Sequence, residues 1–108
     1  MSEKLLSKEY FNQMFENDSK IQCYDQGDNA CVLLSRKLQK NLFVINFDDD
    51  GMIVYTFLGG WTNNTWYKRN INNFQEFIQA LEMSINLLQD EQLPEFIEDF
   101  EYILDIVK

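Results

Sequence analysis

Two apolar runs near the middle of the chain constrain its fold more than any other feature. Residues 42–47 and 52–58 are rich in β-branched and aromatic side chains, and the turn-forming sequence Asp-Asp-Asp-Gly precedes the second run. A three-residue loop over 49–51, with Gly51 in the left-handed conformation, closes the two runs into an antiparallel hairpin. In that register the large apolar side chains share one face, which agrees with the hydrophobic pattern. The predicted pairs are Phe47 with Ile53, Ile45 with Tyr55, and Phe43 with Phe57.

The segments on either side of this hairpin extend the sheet. Residues 2–17 carry apolar side chains at helical spacing, which predicts an amphipathic helix. A short strand starting at residue 21, a turn over 26–29 and a returning strand over 30–34 follow it. Residues 65–69 are predicted to add one more antiparallel strand.

Two predicted helices close the chain. Asn73 is a favourable N-cap, and Glu76 three residues later completes a capping box ahead of an apolar stripe of helical period. Pro94 suits the first position of the last helix. The predicted fold class is α+β, with an N-terminal helix, an antiparallel β-meander of four to five strands, and two C-terminal helices packed on one sheet face. Residues 1–108 are predicted to form a single domain, because two domains of half this length would each be short of core.

The composition is typical of a globular domain inside the cell. Hydrophobic residues make up 45% of the chain, which is enough to bury a core despite the net charge of -9. The segment that begins at Met1 lacks the basic and apolar regions of a secretory signal, and no apolar run is long enough for a membrane-spanning helix. Cys23 and Cys31 are too few for a disulfide framework and are predicted to be free thiols on neighbouring strands. We therefore expect a cytoplasmic protein that does not bind membranes.

The negative charge is concentrated in the last third of the sequence. Residues 1–69 hold nine acidic and eight basic side chains, whereas residues 70–108 hold nine acidic side chains and Lys108 as their one base. A surface of this kind repels phosphate backbones and anionic membranes and attracts basic proteins. Direct binding to nucleic acid is therefore not expected, because it depends on Lys and Arg contacts to phosphate.

The residues offer little that supports catalysis. The chain has no histidine, which removes the commonest general base and nearly all familiar zinc sites. The triplet 48–50 supplies carboxylates that could bind a divalent cation, but the further ligands of a calcium loop are missing, so we interpret the triplet as a hairpin turn. We predict that the protein is not an enzyme and that it has no catalytic residue, no cofactor and no metal site.

Two surfaces are candidates for binding a partner. The aromatic loop over 59–67 contains Trp61 and Trp66, and we predict that Trp66 lies in the core and that Trp61 is partly exposed. The second candidate is the run 90–105, which holds seven acidic and no basic side chains, whereas a solvated helix face usually mixes the two signs. The predicted partner-binding residues are Asp90, Glu91, Glu95, Glu98, Asp99, Glu101 and Asp105, with Trp61 as an apolar anchor.

These features favour an inhibitor that acts by binding protein. In size, acidity and lack of catalytic groups the chain is similar to bacterial toxin-immunity proteins in general, which implies an immunity protein or antitoxin that neutralises a basic, nuclease-type toxin. A phage-encoded anti-restriction or anti-CRISPR protein would present the same acidic face to a basic cleft. A small accessory or scaffold subunit that uses an aromatic interface is a third hypothesis, and it predicts binding that survives high salt. A small-ligand site between sheet and helices is a fourth, and it requires a pocket with convergent polar groups.

Overall fold

The computed structural model describes residues 6–48, 50–58 and 64–108. It contains one short helix, five strands in a single antiparallel sheet, and two C-terminal helices, which confirms the predicted α+β fold. Within these ranges no helix is long and apolar enough to cross a membrane. The elements are α1 (Lys8–Met14), β1 (Ile21–Asp25), β2 (Ala30–Ser35), β3 (Lys40–Phe47), β4 (Ile53–Leu58), β5 (Thr65–Ile71), α2 (Phe74–Asp90) and α3 (Pro94–Val107).

The strands form a simple meander in which each strand pairs with the next one along the chain. Around the central turn the amide of Asp48 donates to the carbonyl oxygen of Met52 at 2.7 Å, and Gly51 has a φ of +85°. A positive φ of this size is the left-handed conformation that glycine adopts without a steric penalty. The predicted β3–β4 register is confirmed, with Phe47 opposite Ile53, Ile45 opposite Tyr55, and Phe43 opposite Phe57.

The β4–β5 ladder contains an irregularity that turns an indole toward the core. Phe57 pairs with Tyr67 and Leu58 pairs with Thr65, so Trp66 is the extra residue of a bulge. The Trp66 ring lies edge-on to the Phe57 ring, with 5.5 Å between the ring centroids. Trp66 is partly buried against the main core, as the sequence predicted for this tryptophan.

All three helices pack on the same face of the sheet. Phe43 lies near the middle of that face, and its ring centroid is 6.0 Å from Phe77 of α2 and 5.7 Å from Phe100 of α3. Phe11 of α1 joins the same aromatic cluster, at 5.2 Å from Phe77. Aromatic pairs at these spacings add to the free energy gained by burying their area, so this cluster holds the helices in place on the sheet.

One buried polar pair ties the sheet to α2. The Tyr55 hydroxyl and Ser84 Oγ are 2.7 Å apart, and both side chains are fully buried. Ser84 Oγ also lies 2.9 Å from the carbonyl oxygen of Ala80 and donates its single proton there. Tyr55 must therefore be the donor to Ser84. Burial raises the pKa of the Tyr55 phenol well above its ordinary value, against the opposite effect of the Ser84 hydrogen bond, so the phenol stays protonated.

Helix α1 is shorter than the sequence predicted. Its N-cap is Ser7, whose Oγ accepts a hydrogen bond from the amide of Tyr10 at 3.1 Å. The helix ends at Met14, with Phe15 as its C-cap. The apolar spacing over 2–17 predicts a helix along the whole segment, whereas the serine cap starts the helix six residues later. Residues 1–5 lie outside the described ranges.

The caps of the two C-terminal helices follow the prediction with one change. Asn73 Oδ1 accepts from the amide of Glu76 at 2.9 Å, as expected for an N-cap. The Glu76 carboxylate, however, accepts from the amide of Asn72 at 3.2 Å instead of from the N-cap residue itself. Pro94 occupies the first position of α3, as predicted.

Candidate partner-binding surface

Six exposed carboxylates lie between residue 90 and the end of α3, and we call them the acidic face. On α3 they recur at steps of three or four residues and therefore lie on one side of the helix. The opposite side of α3 is buried against the sheet and α2. The residues of the acidic face are Asp90, Glu91, Glu95, Glu98, Glu101 and Asp105, and all six are exposed.

Along the sequence of α2 and α3 no basic residue is interspersed with these carboxylates. Lys108 is the one basic residue after position 69, and neither α2 nor α3 has a basic residue in its last turn. Like charges at steps of three and four destabilise a helix, and Asp105 near the C-terminus of α3 also opposes the helix dipole. A cationic partner would relieve this repulsion, so the charge pattern favours binding to a basic surface.

Asp99 lies apart from the acidic face. The sequence grouped it with the exposed carboxylates, but its side chain is 8% exposed. Helical spacing accounts for this difference, because Asp99 falls three residues after Phe96 and four before Ile103, which are both buried. That spacing is the signal in the sequence that could have placed Asp99 on the inner side of α3.

The Asp99 carboxylate is only partly satisfied by hydrogen bonds. It accepts one from the Ser35 hydroxyl, while Ser35 Oγ in turn accepts from the amide of Leu38 at 3.1 Å. Asp99 Oδ2 is buried and has no hydrogen-bond partner. Burial raises the pKa of Asp99, and the neighbouring Glu98 raises it further, against the opposite effects of Ser35, Lys37 and Lys20.

Asp99 lines a surface cavity of about 320 Å³, which we call the mixed-charge cleft. One wall is the N-terminal half of α3, and the other comes from the segment before β1 and the turn between β2 and β3. Sequence patterns do not predict this site, because its basic wall is more than fifty residues away from α3 along the chain. The lining residues are Ser19, Lys20, Arg36, Lys37, Glu95, Glu98 and Asp99.

Two of the three cations of the cleft have partners of their own. The Lys20 ammonium lies 4.8 Å from the centroid of the Tyr102 ring, a cation–π contact. Arg36 Nε donates to the carbonyl oxygen of Asp18 at 2.9 Å. Burial raises the pKa of the Asp18 carboxyl, but hydrogen bonds from Tyr102, at 2.5 Å, and from two backbone amides have a larger, opposite effect. The pKa of Asp18 is therefore lowered. Over the described ranges no ion pair joins the cations of the cleft to the carboxylates of α3.

The two cysteines are free thiols, as predicted. They lie diagonally across the β1–β2 ladder, since Cys23 is opposite Leu33 and Cys31 is opposite Asp25. The Cys23 thiol donates to Asn12 Oδ1 at 3.3 Å. The hydrogen bond with Cys23, together with burial, raises the pKa of the Cys31 thiol and keeps it protonated. The same hydrogen bond lowers the pKa of the half-buried Cys23 thiol, against the opposite effects of burial and Asp25.

Two predicted features fall wholly or partly on residues that the structure does not describe. Trp61, the proposed apolar anchor, lies outside the described ranges, and so does Asp49 of the acidic triplet. In that triplet Asp48 Oδ1 accepts from the amide of Asp50 at 3.3 Å, a contact typical of a turn. Across residues 6–48, 50–58 and 64–108 no group of three Cys, Asp or Glu side chains is arranged to hold a metal ion.

Comparison with known proteins gives one partial similarity. A stretch of 69 residues, 64% of the chain, is 32% identical to part of phosphatidylinositol 4-kinase PIK1alpha of Candida albicans. The chain spans 7% of the length of that protein, so the similarity concerns one small segment of it. No family model and no solved structure matches the chain.

Proposed function

We propose that this protein is an acidic inhibitor that binds a basic protein, as an immunity protein or antitoxin binds a nuclease-type toxin. The observation that carries the proposal is the acidic face, six exposed carboxylates on α2, on α3 and at the turn between them, in a stretch of sequence that has no basic residue between positions 70 and 107. The sheet and the aromatic cluster beneath α3 hold this face on a packed scaffold.

The dimensions of the acidic face suit a groove that binds nucleic acid. From Glu95 to Asp105 the stripe rises about 15 Å along the helix axis, since each helical residue adds about 1.5 Å. A nuclease must line its substrate groove with Lys and Arg to hold phosphates. A row of carboxylates can occupy such a groove in place of phosphates. Complementary electrostatic fields also speed the encounter of the two proteins and disfavour other partners.

Capture from the source cell, followed by an inhibition assay, tests the proposal. A tagged chain is incubated with lysate, washed at about 50 mM and then about 500 mM NaCl, and each released protein is assayed for nucleic-acid cleavage with and without the chain. The proposal predicts a basic protein that is released by salt and whose cleavage activity the chain blocks.

A pair of charge-matched variants makes the assay specific. The face variant carries Glu98→Gln, Glu101→Gln and Asp105→Asn. The control variant removes the same number of charges elsewhere, through Glu9→Gln, Glu16→Gln and Asp28→Asn, all at exposed positions. We expect the face variant to lose inhibition and the control variant to keep it. Equal loss in both variants, or a captured partner insensitive to salt and to the face variant, would contradict the proposal.

A further inference from the structure

Cys23 and Cys31, which we call the thiol pair, lie next to each other on the helix-covered face of the sheet. Cys23 is opposite Leu33 and Cys31 is opposite Asp25, so the two cysteines occupy diagonal positions of the β1–β2 ladder. Both pack in the main core, but Cys31 is fully buried whereas Cys23 is half-buried. Their thiols are hydrogen-bonded to each other. Two thiols in contact, one of them nearer to solvent, form an arrangement that is typical of oxidisable cysteines.

A surface cavity of about 310 Å³ leads to the outer thiol of the pair. Cys23 borders this cavity, and the other lining residues come from α1 and the turn that follows it: Asn12, Gln13 and Glu16. Gln13 and Glu16 are exposed, so the cavity opens to solvent. Cys31 has no exposed surface. A small reagent that enters the cavity therefore meets Cys23 first.

The hydrogen bonds of the pair favour Cys23 as the reactive thiol. Cys23 Sγ donates its single proton to Asn12 Oδ1 at 3.3 Å, so in the bond between the two thiols Cys31 is the donor. A donor at this position stabilises the Cys23 thiolate and lowers the pKa of Cys23, against the effects of burial and of Asp25. The thiolate is the form of cysteine that attacks an oxidant. Cys23 is therefore placed to react first and Cys31 to react with its product.

We propose that the thiol pair is an oxidation site, at which Cys23 reacts with a peroxide and Cys31 then forms an intramolecular disulfide with it. In the first step the Cys23 thiolate attacks one peroxide oxygen and the O–O bond breaks, which leaves a sulfenic acid on Cys23 and releases water or an alcohol. In the second step the Cys31 sulfur attacks the Cys23 sulfur and the S–O bond breaks. The proton of Cys31 leaves with the hydroxyl group as water. The two thiols lose two electrons and two protons, and the peroxide gains both.

The first step removes much of what keeps Cys31 unreactive. The pKa of the Cys31 thiol is raised first by its hydrogen bond to Cys23, then by burial and by the charge of Cys23. A sulfenic acid is neutral, so the charge is lost and the hydrogen bond to the Cys23 sulfur weakens. Burial then remains as the main effect that opposes ionisation of Cys31.

The position of β1 in the sheet allows the movement that a disulfide needs. Diagonal neighbours on antiparallel strands have Cα atoms about 7–8 Å apart, slightly beyond the span of a disulfide. Closing the bond therefore requires β1 to shift toward β2. β1 is an edge strand of the sheet, so it can shift without disturbing a second ladder.

Mass spectrometry of the reduced chain after exposure to hydrogen peroxide tests the inference. Wild type should lose about 2 Da, the mass of two hydrogen atoms, and dithiothreitol should reverse the change. Cys31→Ser keeps a donor beside Cys23 but cannot form the disulfide, so dimedone should trap a sulfenic acid in this variant. Cys23→Ser should be oxidised at least about tenfold more slowly than wild type, because its remaining thiol is buried.

A matched pair of carboxylate variants tests the role of Cys23 without changing a buried residue. Asp25 is exposed and raises the pKa of Cys23, so Asp25→Asn should increase the thiolate fraction and speed oxidation about twofold or more. Asp28→Asn makes the same chemical change at an exposed turn position and should leave the rate unchanged. Equal rates in these two variants would contradict the assignment of Cys23 as the attacking thiol.

The products decide the remaining alternatives. A covalent dimer, or a wild-type product that stops at a sulfenic or sulfinic acid with Cys31 still reduced, would overturn the inference. Equal oxidation of wild type and Cys23→Ser would overturn it as well. Circular dichroism of each reduced variant shows whether it is folded. The inference goes beyond the proposed function and is independent of it, because neither cysteine belongs to the acidic face.

Discussion

Replacing Asp99 by asparagine is predicted to stabilise the fold at neutral pH. The wild-type carboxylate has one donor, Ser35, and one buried oxygen with none. An unsatisfied buried polar group costs about 1–3 kcal/mol, and more if it is charged, although Lys20 and Lys37 offset part of this. Asparagine keeps an acceptor for Ser35 and removes the buried charge. We expect a net gain of about 1 kcal/mol, which corresponds to a rise in Tm of about 4 °C for a chain of this length.

The sign of the pH dependence follows from the shifted pKa. Burial, and after it Glu98, raises the pKa of Asp99 in the folded state above its unfolded value, while Ser35, Lys37 and Lys20 oppose the shift. Asp99 therefore favours the folded state at acid pH, and this contribution is lost as pH rises through the folded pKa. The advantage of the asparagine variant should be largest at neutral pH and should shrink as pH falls toward about 3.9, the ordinary value for Asp.

Urea unfolding, followed by circular dichroism at neutral and acid pH, measures both quantities. Asp28→Asn is the matched control, because it makes the same chemical change at an exposed position. If the variant is less stable than wild type at neutral pH by about 1 kcal/mol or more, the buried charge stabilises the fold and the prediction is wrong. In that case Asp99 would be a structural partner of Lys20 and Lys37.

Three other changes test the description of the fold. Ser84→Ala should lower the free energy of unfolding by about 2 kcal/mol in urea, because it leaves the Tyr55 hydroxyl buried without an acceptor. Adding Tyr55→Phe should recover part of that loss, and strictly additive losses would contradict the hydrogen bond between the two side chains. Asn73→Ala should lower the free energy of unfolding by about 1 kcal/mol in the same assay, because α2 loses its N-cap. An unchanged urea midpoint would mean that the cap does not stabilise the fold. Tyr102→Phe should move the pKa of Asp18 up toward its ordinary value in an NMR titration, and an unmoved pKa would show that the bond is absent in solution.

Local patterns were sufficient to predict most of the fold. The β3–β4 register followed from two-residue alternation and from Gly51, because a slip of one residue would have turned every large side chain to the other face. The N-cap Asn73 and the first-turn Pro94 fixed the starts of α2 and α3 for equally local reasons. The length of α1 was wrong, since apolar spacing alone does not show where Ser7 caps the helix.

The candidate site was harder to predict because it depends on tertiary packing. The acidic face could be found from charge along the sequence, but a count of charges ignores the helical phase, which places Asp99 inward. The basic wall of the cleft was missed because Lys20, Arg36 and Lys37 meet α3 only after the sheet has formed. The Asp18–Tyr102 hydrogen bond, between residues 84 positions apart, shows the sequence separation that such contacts span.

The affinity of the purified complex at low and high salt shows whether the acidic face binds the partner. Titration calorimetry would compare wild type, the face variant and the control variant against the same captured partner, at about 50 mM and about 500 mM NaCl. We expect the affinity of wild type for the partner to fall at least tenfold with salt. The face variant should bind as weakly at low salt as wild type does at high salt, and the control variant should behave as wild type does. An affinity that changes neither with salt nor between the two variants would contradict the claim that the acidic face binds the partner.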